Sequence, residues 1–183
     1  DDVLWGAMLG ASYKITPTHK LSFMFMHNQS ATASARFLEG IKDDDRDELF
    51  QTRSSRFLQR GLTTAQLGGK HVFVKANNME IAWKSSFARS TQSDPDLRYF
   101  TNRYDAEMGI YNIKPSSDRT PSRFYRNMQQ GNWSNKIDFT QPFKQWSGQT
   151  AKFKAGFAHT GKSRTFDEKR YSFENKQSNF DGN

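Results

Sequence analysis

The sequence predicts an all-β fold made of antiparallel strands of a transmembrane β-barrel of the outer-membrane type. Apolar and polar residues alternate with a period of two, which is typical of strands and not of helices. Tight turns follow the strands at one end, around Pro17, Asn77 and Gly148, and long polar segments follow them at the other. Short periplasmic turns and long extracellular loops are the layout of such barrels.

Six strands are predicted, in the order of the chain. The first covers residues 3–15, where Trp5, Ala7 and Leu9 share one face, and Pro17 ends it. The others cover residues 20–37, 51–74, 79 to about 94–96, 122–139, and a last one that starts at 150 and fades at 162–165. Residues 39–48 are predicted as a charged loop and residues 99–120 as the longest loop. Each strand is apolar beside its short turn and polar beyond it, as expected for a strand that leaves a bilayer.

The composition agrees with strands that are only partly apolar. Hydrophobic residues make up 34% of the chain and the mean hydropathy is −0.89, yet 14% of residues are aromatic, which argues against disorder. No run approaches the roughly 20 apolar residues of a membrane helix. Six barrel strands would place only roughly 30 side chains in lipid, so a polar average is compatible with a membrane protein.

The charge leaves three interpretations open. The formal net charge is +8 and the isoelectric point is near 9.7. A basic lumen or a surface facing anionic lipid explains this charge in a barrel, with either a transport role or a purely structural or surface-assembly role. The remaining alternative is a soluble basic β-domain that binds nucleic acid, which needs basic residues and exposed aromatics on one face. The strand pattern by itself also allows a large soluble antiparallel β-domain whose aromatics form a core.

Several segments carry a family resemblance. They are residues 19–30 (HKLSFMFMHNQS), 51–53 (QTR), 60–71 (RGLTTAQLGGKH), 81–90 (IAWKSSFARS) and 94–100 (DPDLRYF). These segments resemble strands of TonB-dependent outer-membrane receptors of the Bacteroidetes type, over about half of the chain.

The resemblance implies a 22-stranded barrel closed by an N-terminal plug, in the outer membrane of a Gram-negative bacterium. It implies import of a bulky nutrient such as an iron chelate, a cobalamin or a glycan, and no enzymatic activity. The implied partners are outer-membrane lipid, the rest of the barrel with its plug, TonB through the N-terminal region, and a surface lipoprotein; no nucleic-acid partner is expected. Since residues 1–183 contain neither plug nor closing strand and no signal peptide, we expect them to form one partial barrel domain.

Three groups of side chains are candidates for functional roles. The candidates for lining the lumen are basic: Arg53, Arg56, Arg60, Lys84, Arg89, Lys152 and Lys154. They could attract anions or pair with neighbouring carboxylates. The candidates for contacts at the outer mouth are Asp94, Asp96 and Arg98, although Asp94-Pro95 also favours a turn. The candidates for an interfacial girdle are aromatic: Trp5, Tyr13, Phe73, Trp83, Phe139, Phe143 and Trp146.

Catalytic, cofactor and metal sites are not expected. The chain has no Ser-His-Asp elbow and no phosphate-binding loop. Its four histidines are scattered, and it has no cysteine. Asp43, Asp45 and Asp47 alternate like calcium ligands, but Glu48 and Ser54 stand where an EF-hand needs Gly and Glu. A solvated acidic loop is the simpler interpretation, and a looser calcium site is the alternative.

Overall fold

The computed structural model describes residues 1–42, 45–113 and 121–172 as one antiparallel sheet. The strands lie in the order β1-β2-β3-β4-β6-β7, and β5 pairs only with the end of β4. The elements are β1 (Asp2–Thr16), β2 (His19–Lys42), β3 (Asp45–Phe73), a 3-10 turn (Val74–Ala76), β4 (Met79–Asp105), β5 (Ile110–Asn112), β6 (Ser122–Lys144) and β7 (Thr150–Ser172). The all-β, antiparallel prediction is confirmed.

The three short turns are where the sequence predicts them. Pro17 and Thr18 alone separate β1 from β2. Asn77 and Asn78 follow the 3-10 turn with φ of 54° and 57°, a left-handed conformation that asparagine tolerates better than most residues. Gly148 takes φ of 80° in the turn between β6 and β7, where the Gln145 amide donates to the Gln149 carbonyl at 2.9 Å.

The strands are longer than predicted at their polar ends. β2 and β3 run through most of the predicted 39–48 loop, of which residues 43–44 lie outside the described residues. β4 continues to Asp105 into the predicted 99–120 loop, of which residues 114–120 lie outside the described residues, and β7 continues regularly to Ser172. Ladder hydrogen bonds are made by the backbone, so pairing continues where both faces are polar and the alternation disappears.

The predicted turn at Asp94-Pro95-Asp96 is wrong: these residues form a β-bulge inside β4. Asp94 pairs with Arg126 and Leu97 pairs with Phe124, so three residues of β4 span two of β6. Proline has no amide hydrogen to donate, and within sheets it is confined to edges and bulges. Pro95 therefore marks the bulge and not the end of the strand.

The sheet is open and has almost no core. Within the described residues, β1 pairs only with β2 and β7 only with β6, so closure into a barrel stays a prediction. Phe50 and Leu58 are its buried hydrophobic residues. The expected alternative of an aromatic core is not found in this part of the chain, where Trp5 and Trp133 are more than half exposed. None of the described helices is long and apolar enough to cross a membrane.

Candidate functional site

The candidate functional site is the sheet itself, whose two faces differ in chemistry. Residues that pair directly across neighbouring strands point to the same side, and successive residues point to opposite sides. One line of paired residues runs through Leu9, Phe25, Ala65, Phe87 and Trp133. A second line of paired residues lies two residues closer to the short turns. It runs through Ala11, Phe23, Leu67, Ser85 and Asn135. We call the side that carries these residues the apolar face.

The opposite side, the polar face, carries different residues along the same strands. One of its lines runs through Ser12, Ser22, Gly68, Lys84 and Lys136. Basic residues from every long strand lie on this face. The apolar face meanwhile leaves large side chains uncovered, with Leu9 61% and Phe157 67% exposed. A contiguous exposed apolar surface of this kind marks contact with a partner or a membrane.

The apolar residues of the apolar face form a band that crosses the sheet diagonally. On successive long strands the band covers residues 3–13, 21–25, 65–73, 79–87, 133–143 and 151–157. On β1 the band is centred at the level of Met8, which pairs with Met26 of β2. On β7 it is centred at the level of Lys154, whose line of paired residues runs through Thr140, Glu80 and Val72 to Thr18, just before β2 and eight residues below Met26.

The slope of the band gives the tilt of the strands relative to it. From β1 to β7 the centre of the band moves eight residues along the strand direction, at about 3.3 Å per residue. Across the sheet the same change covers five interstrand steps of about 4.8 Å. The normal to the band is therefore inclined to the strands by about 45°. The band is level between β3 and β4, where its centres Gly69 and Trp83 pair directly, and it shifts in the same direction at every other step from β1 to β7.

The predicted girdle aromatics lie on one face. The register places Trp5, Tyr13, Phe73, Trp83, Phe139 and Phe143 on the apolar face. Trp146 stands in the turn before β7 and is fully exposed. Tyr13, Phe73 and Phe143 lie beside the short turns, whereas Trp5 lies near the other end of the β1 band.

The predicted lumen-lining residues do not share one face. Arg56, Arg60, Lys84, Lys152 and Lys154 lie on the polar face, whereas Arg53 and Arg89 lie on the apolar face, beyond the band. Arg53 is positioned over the Phe37 ring at 5.6 Å and Arg89 donates to Gln129 at 2.9 Å. Polar strand ends show no alternation, so the sequence alone cannot assign these two arginines to a face.

The bulge divides the predicted outer-mouth residues between the faces. Asp94 is 1% exposed and accepts two hydrogen bonds from the Arg56 guanidinium, at 2.6 and 3.1 Å, on the polar face. Asp96 lies on the other face, where Arg98 donates at 2.8 Å and Arg123 at 3.0 and 2.8 Å. Sequence analysis missed Arg123, because its partner is 27 residues away and on a different strand.

Asp96 has an unusual acidity that follows from this arrangement. The hydrogen bonds from Arg123 and then Arg98 stabilise its carboxylate and hold its pKa well below the ordinary value. A lowered pKa means that the interaction stabilises the fold above the unfolded-state pKa of about 3.9 and is lost as the pH falls towards the folded-state value.

We therefore predict that Asp96→Asn makes stability less dependent on pH below about pH 4. The measurement is the thermal unfolding midpoint of the full-length protein in detergent at pH 7 and pH 3. At pH 7 the unfolding midpoint of the variant should be lower than that of wild type. Between pH 7 and pH 3 the midpoint of the variant should fall by less. Asp167→Asn, at an exposed aspartate for which the described residues show no ion pair, is the control. Equal acid losses in both variants would contradict the role of Asp96.

A chain of aromatic side chains at the short-turn end of the apolar face was also missed. The Trp83 indole Nε1 donates to His71 Nε2 at 3.2 Å, and His71 Nδ1 lies 3.0 Å from His19 Nδ1. Indole nitrogen only donates, so His71 must accept at Nε2 and donate from Nδ1. In this tautomer His71 Nδ1 carries the hydrogen and has no free lone pair, which disfavours a metal ion between the two rings.

Metal sites and calcium ligands receive no support from the described residues. Among them, no group of three or more His, Cys, Asp or Glu side chains comes together as metal ligands. Of the three aspartates considered as calcium ligands, Asp43 lies outside the described residues. Asp45 and Asp47 are part of strand β3.

Comparisons with known proteins do not assign the chain to a family. No protein-family model matches the sequence, and a search of curated proteins finds no match. The chemistry of the two faces and the diagonal band are the features of this chain that indicate a function.

Proposed function

We propose that this chain forms part of the wall of a transmembrane β-barrel in a bacterial outer membrane, within a TonB-dependent receptor that imports a bulky nutrient. The observation that carries the proposal is the diagonal apolar band on one face of an open sheet. The apolar face would meet lipid and the polar face would line a water-filled lumen.

The diagonal course is what a tilted barrel strand requires. In a membrane barrel the strands are inclined by about 35–45° to the bilayer normal. A plane at one depth in the bilayer then crosses the lines of paired residues at an angle. Residues at that depth are therefore shifted along each strand relative to those on the strand before it. The slope of about 45°, calculated from the register and the usual strand spacings, agrees with that tilt.

The polar face supports an aqueous lumen. Lys84 and Lys154 are exposed and lie at the same level as the middle of the apolar band on their own strands, but on the opposite face. A lysine directed into lipid at that depth would cost about 2–4 kcal/mol. The polar face must therefore face water or polar groups if the band lies in a membrane.

The separation of the two chemistries also argues against nucleic-acid binding. Single-strand binding surfaces combine basic residues with aromatic side chains on which bases stack. In the central part of the sheet, Phe25, Phe87 and Trp133 lie on the apolar face, and the nearby Lys84 and Lys136 lie on the other.

Import, in place of a purely structural role, is supported by the space that such a wall must enclose. Both outer strands have an unpaired edge within the described residues, where further strands could pair and widen the barrel. Barrel diameter grows with strand number, and only wide barrels enclose a channel or a plug. The long polar ends of β3 and β4, beyond the band, would carry the wall well outside the bilayer.

Single-cysteine labelling tests the placement of the two faces. The chain has no cysteine, so Phe25→Cys and Met24→Cys each introduce one thiol into this region of the sheet, on the apolar and the polar face respectively. In the full-length protein in liposomes, a membrane-impermeant maleimide should label Met24→Cys much faster than Phe25→Cys. A lipid-soluble maleimide should remove most of the difference.

Equal labelling of both thiols, or recovery of the full-length protein in the soluble fraction without detergent, would overturn the membrane placement. Import has its own measurement: a strain lacking the protein should lose growth on one of a panel of iron chelates, cobalamins or glycans. A correctly labelled barrel whose loss affects no uptake would instead favour a structural role.

A further inference from the structure

A row of lysines crosses the polar face on its turn-proximal half. Lys14, Lys20 and Lys70 pair directly across β1, β2 and β3. Two residues further up, Lys84 and Lys136 pair directly across β4 and β6. Lys154 of β7 lies on the same face, where it pairs with Thr140, four residues nearer the short turns than Ala158, the partner of Lys136. We call these six residues the lysine row.

The row carries more positive charge than its surroundings neutralise. Lys70 pairs with Glu80 at 2.9 Å and Lys136 with Asp138 at 2.8 Å. Among the described residues, the other four lysines of the row make no ion pair, and all four are exposed. Like charges directly opposite each other on a sheet destabilise it, so the pairs Lys14–Lys20 and Lys84–Lys136 carry a cost that a bound anion would relieve.

Small residues and a concavity lie beside part of the row. Gly68, Ala82, Gly156 and Ala158 are the small residues between the lysines on this face. The Asp138 carboxylate and the Ser22 hydroxyl lie over Gly156 and Gly68, where an added Cβ would stand only 2.7 Å and 2.9 Å from them. A concavity of about 420 Å³ opens beside Lys136 and Lys154, and the carboxylates of Glu80 and Asp138 also line it.

We propose that the lysine row binds a small polyanion, a ligand that carries several phosphate, sulfate or carboxylate groups. Lysine ammonium groups recognise such groups as point charges without demanding a planar fork. Cross-strand neighbours lie about 5 Å apart, so adjacent ammonium groups can reach adjacent anionic groups of one ligand. The inference rests on the proposed function, since the polar face must line an aqueous lumen to be reached.

The test uses the full-length protein in lipid nanodiscs and titration calorimetry with inorganic tripolyphosphate, sulfated disaccharide and citrate. These three probes distinguish phosphate, sulfate and carboxylate as the preferred group. Wild-type protein should bind at least one of them, with affinity that falls as salt is added. The double variant Lys20→Gln/Lys84→Gln should bind about ten-fold more weakly or worse.

The matched control is Lys75→Gln/Lys169→Gln, which removes the same charge outside the polar face. Lys75 lies in the 3-10 turn, and Lys169 pairs with Tyr125 on the other face. The control should stay within about two-fold of wild type, because long-range charge is screened beyond about 10 Å. A second variant, Ala82→Glu, leaves every lysine in place. It should abolish binding, because the new carboxylate beside Lys70 would pair with the lysines and repel the anion.

The outcomes separate this inference from the proposed function. Heat-modifiable migration on a gel reports whether each variant forms a folded barrel. A folded barrel that binds none of the probes, or that loses affinity equally in the control and the row variants, overturns the lysine row alone. Absence of a folded wild-type barrel overturns both the row and the proposed function.

Discussion

Leu67→Arg should destabilise the full-length protein in a bilayer by about 2–4 kcal/mol, the cost of an arginine on a lipid-facing position near the bilayer midplane. Leu67 lies on the apolar face, inside the 65–73 part of the band, and is 53% exposed on the isolated sheet. At an exposed position in water the same substitution would change stability by less than about 0.5 kcal/mol. The expected effect therefore comes from lipid and not from contacts within the sheet.

The measurement is the free energy of unfolding in urea with the full-length protein folded into lipid vesicles. Gln66→Arg is the matched control, since Gln66 is the preceding residue on the same strand and lies on the polar face. It should stay close to wild type. Equal effects of the two arginines, or no effect of Leu67→Arg, would be inconsistent with a lipid-facing band.

The sequence predicts the faces correctly where the alternation is strong. On β1, Trp5, Ala7 and Leu9 are predicted to share a face, and the register places all three on the apolar face. On β6, Trp133 and Ile137 alternate with the polar residues Ser134 and Lys136, and the register places both on the apolar face. Period-two patterning is a local property of one strand, so it can be read without knowledge of any partner strand.

Features that depend on pairing could not be predicted from the sequence. The diagonal course of the band requires the register of all six long strands, which a single sequence does not contain. The bulge at Pro95 reverses the faces beyond it, so Asp94 and Asp96 point to opposite sides although they are two residues apart. The lysine row is equally invisible, because Lys20 and Lys70 lie 50 positions apart in the chain and meet only through the β2–β3 register.

The second large effect is expected at the ion pair of Arg56 and Asp94. Asp94 is 1% exposed, while the Arg56 side chain is 39% exposed. Arg56→Met leaves a buried carboxylate without its partner, and loss of one member of a buried pair costs about 3–5 kcal/mol. Because Arg56 is partly exposed, we expect a loss at the lower end, about 3 kcal/mol, in the urea unfolding of the full-length protein.

Two further variants isolate burial as the cause. Arg126→Met breaks the pair with Glu168, whose side chains are 32% and 34% exposed, and exposed pairs contribute only about 0–1 kcal/mol. Arg56→Met/Asp94→Leu removes both charges of the buried pair and should recover most of the stability, since replacing both partners by apolar groups is often nearly neutral. If Arg56→Met costs no more than Arg126→Met, water from the polar face reaches Asp94 in the assembled protein, and the bulge is hydrated and not sealed.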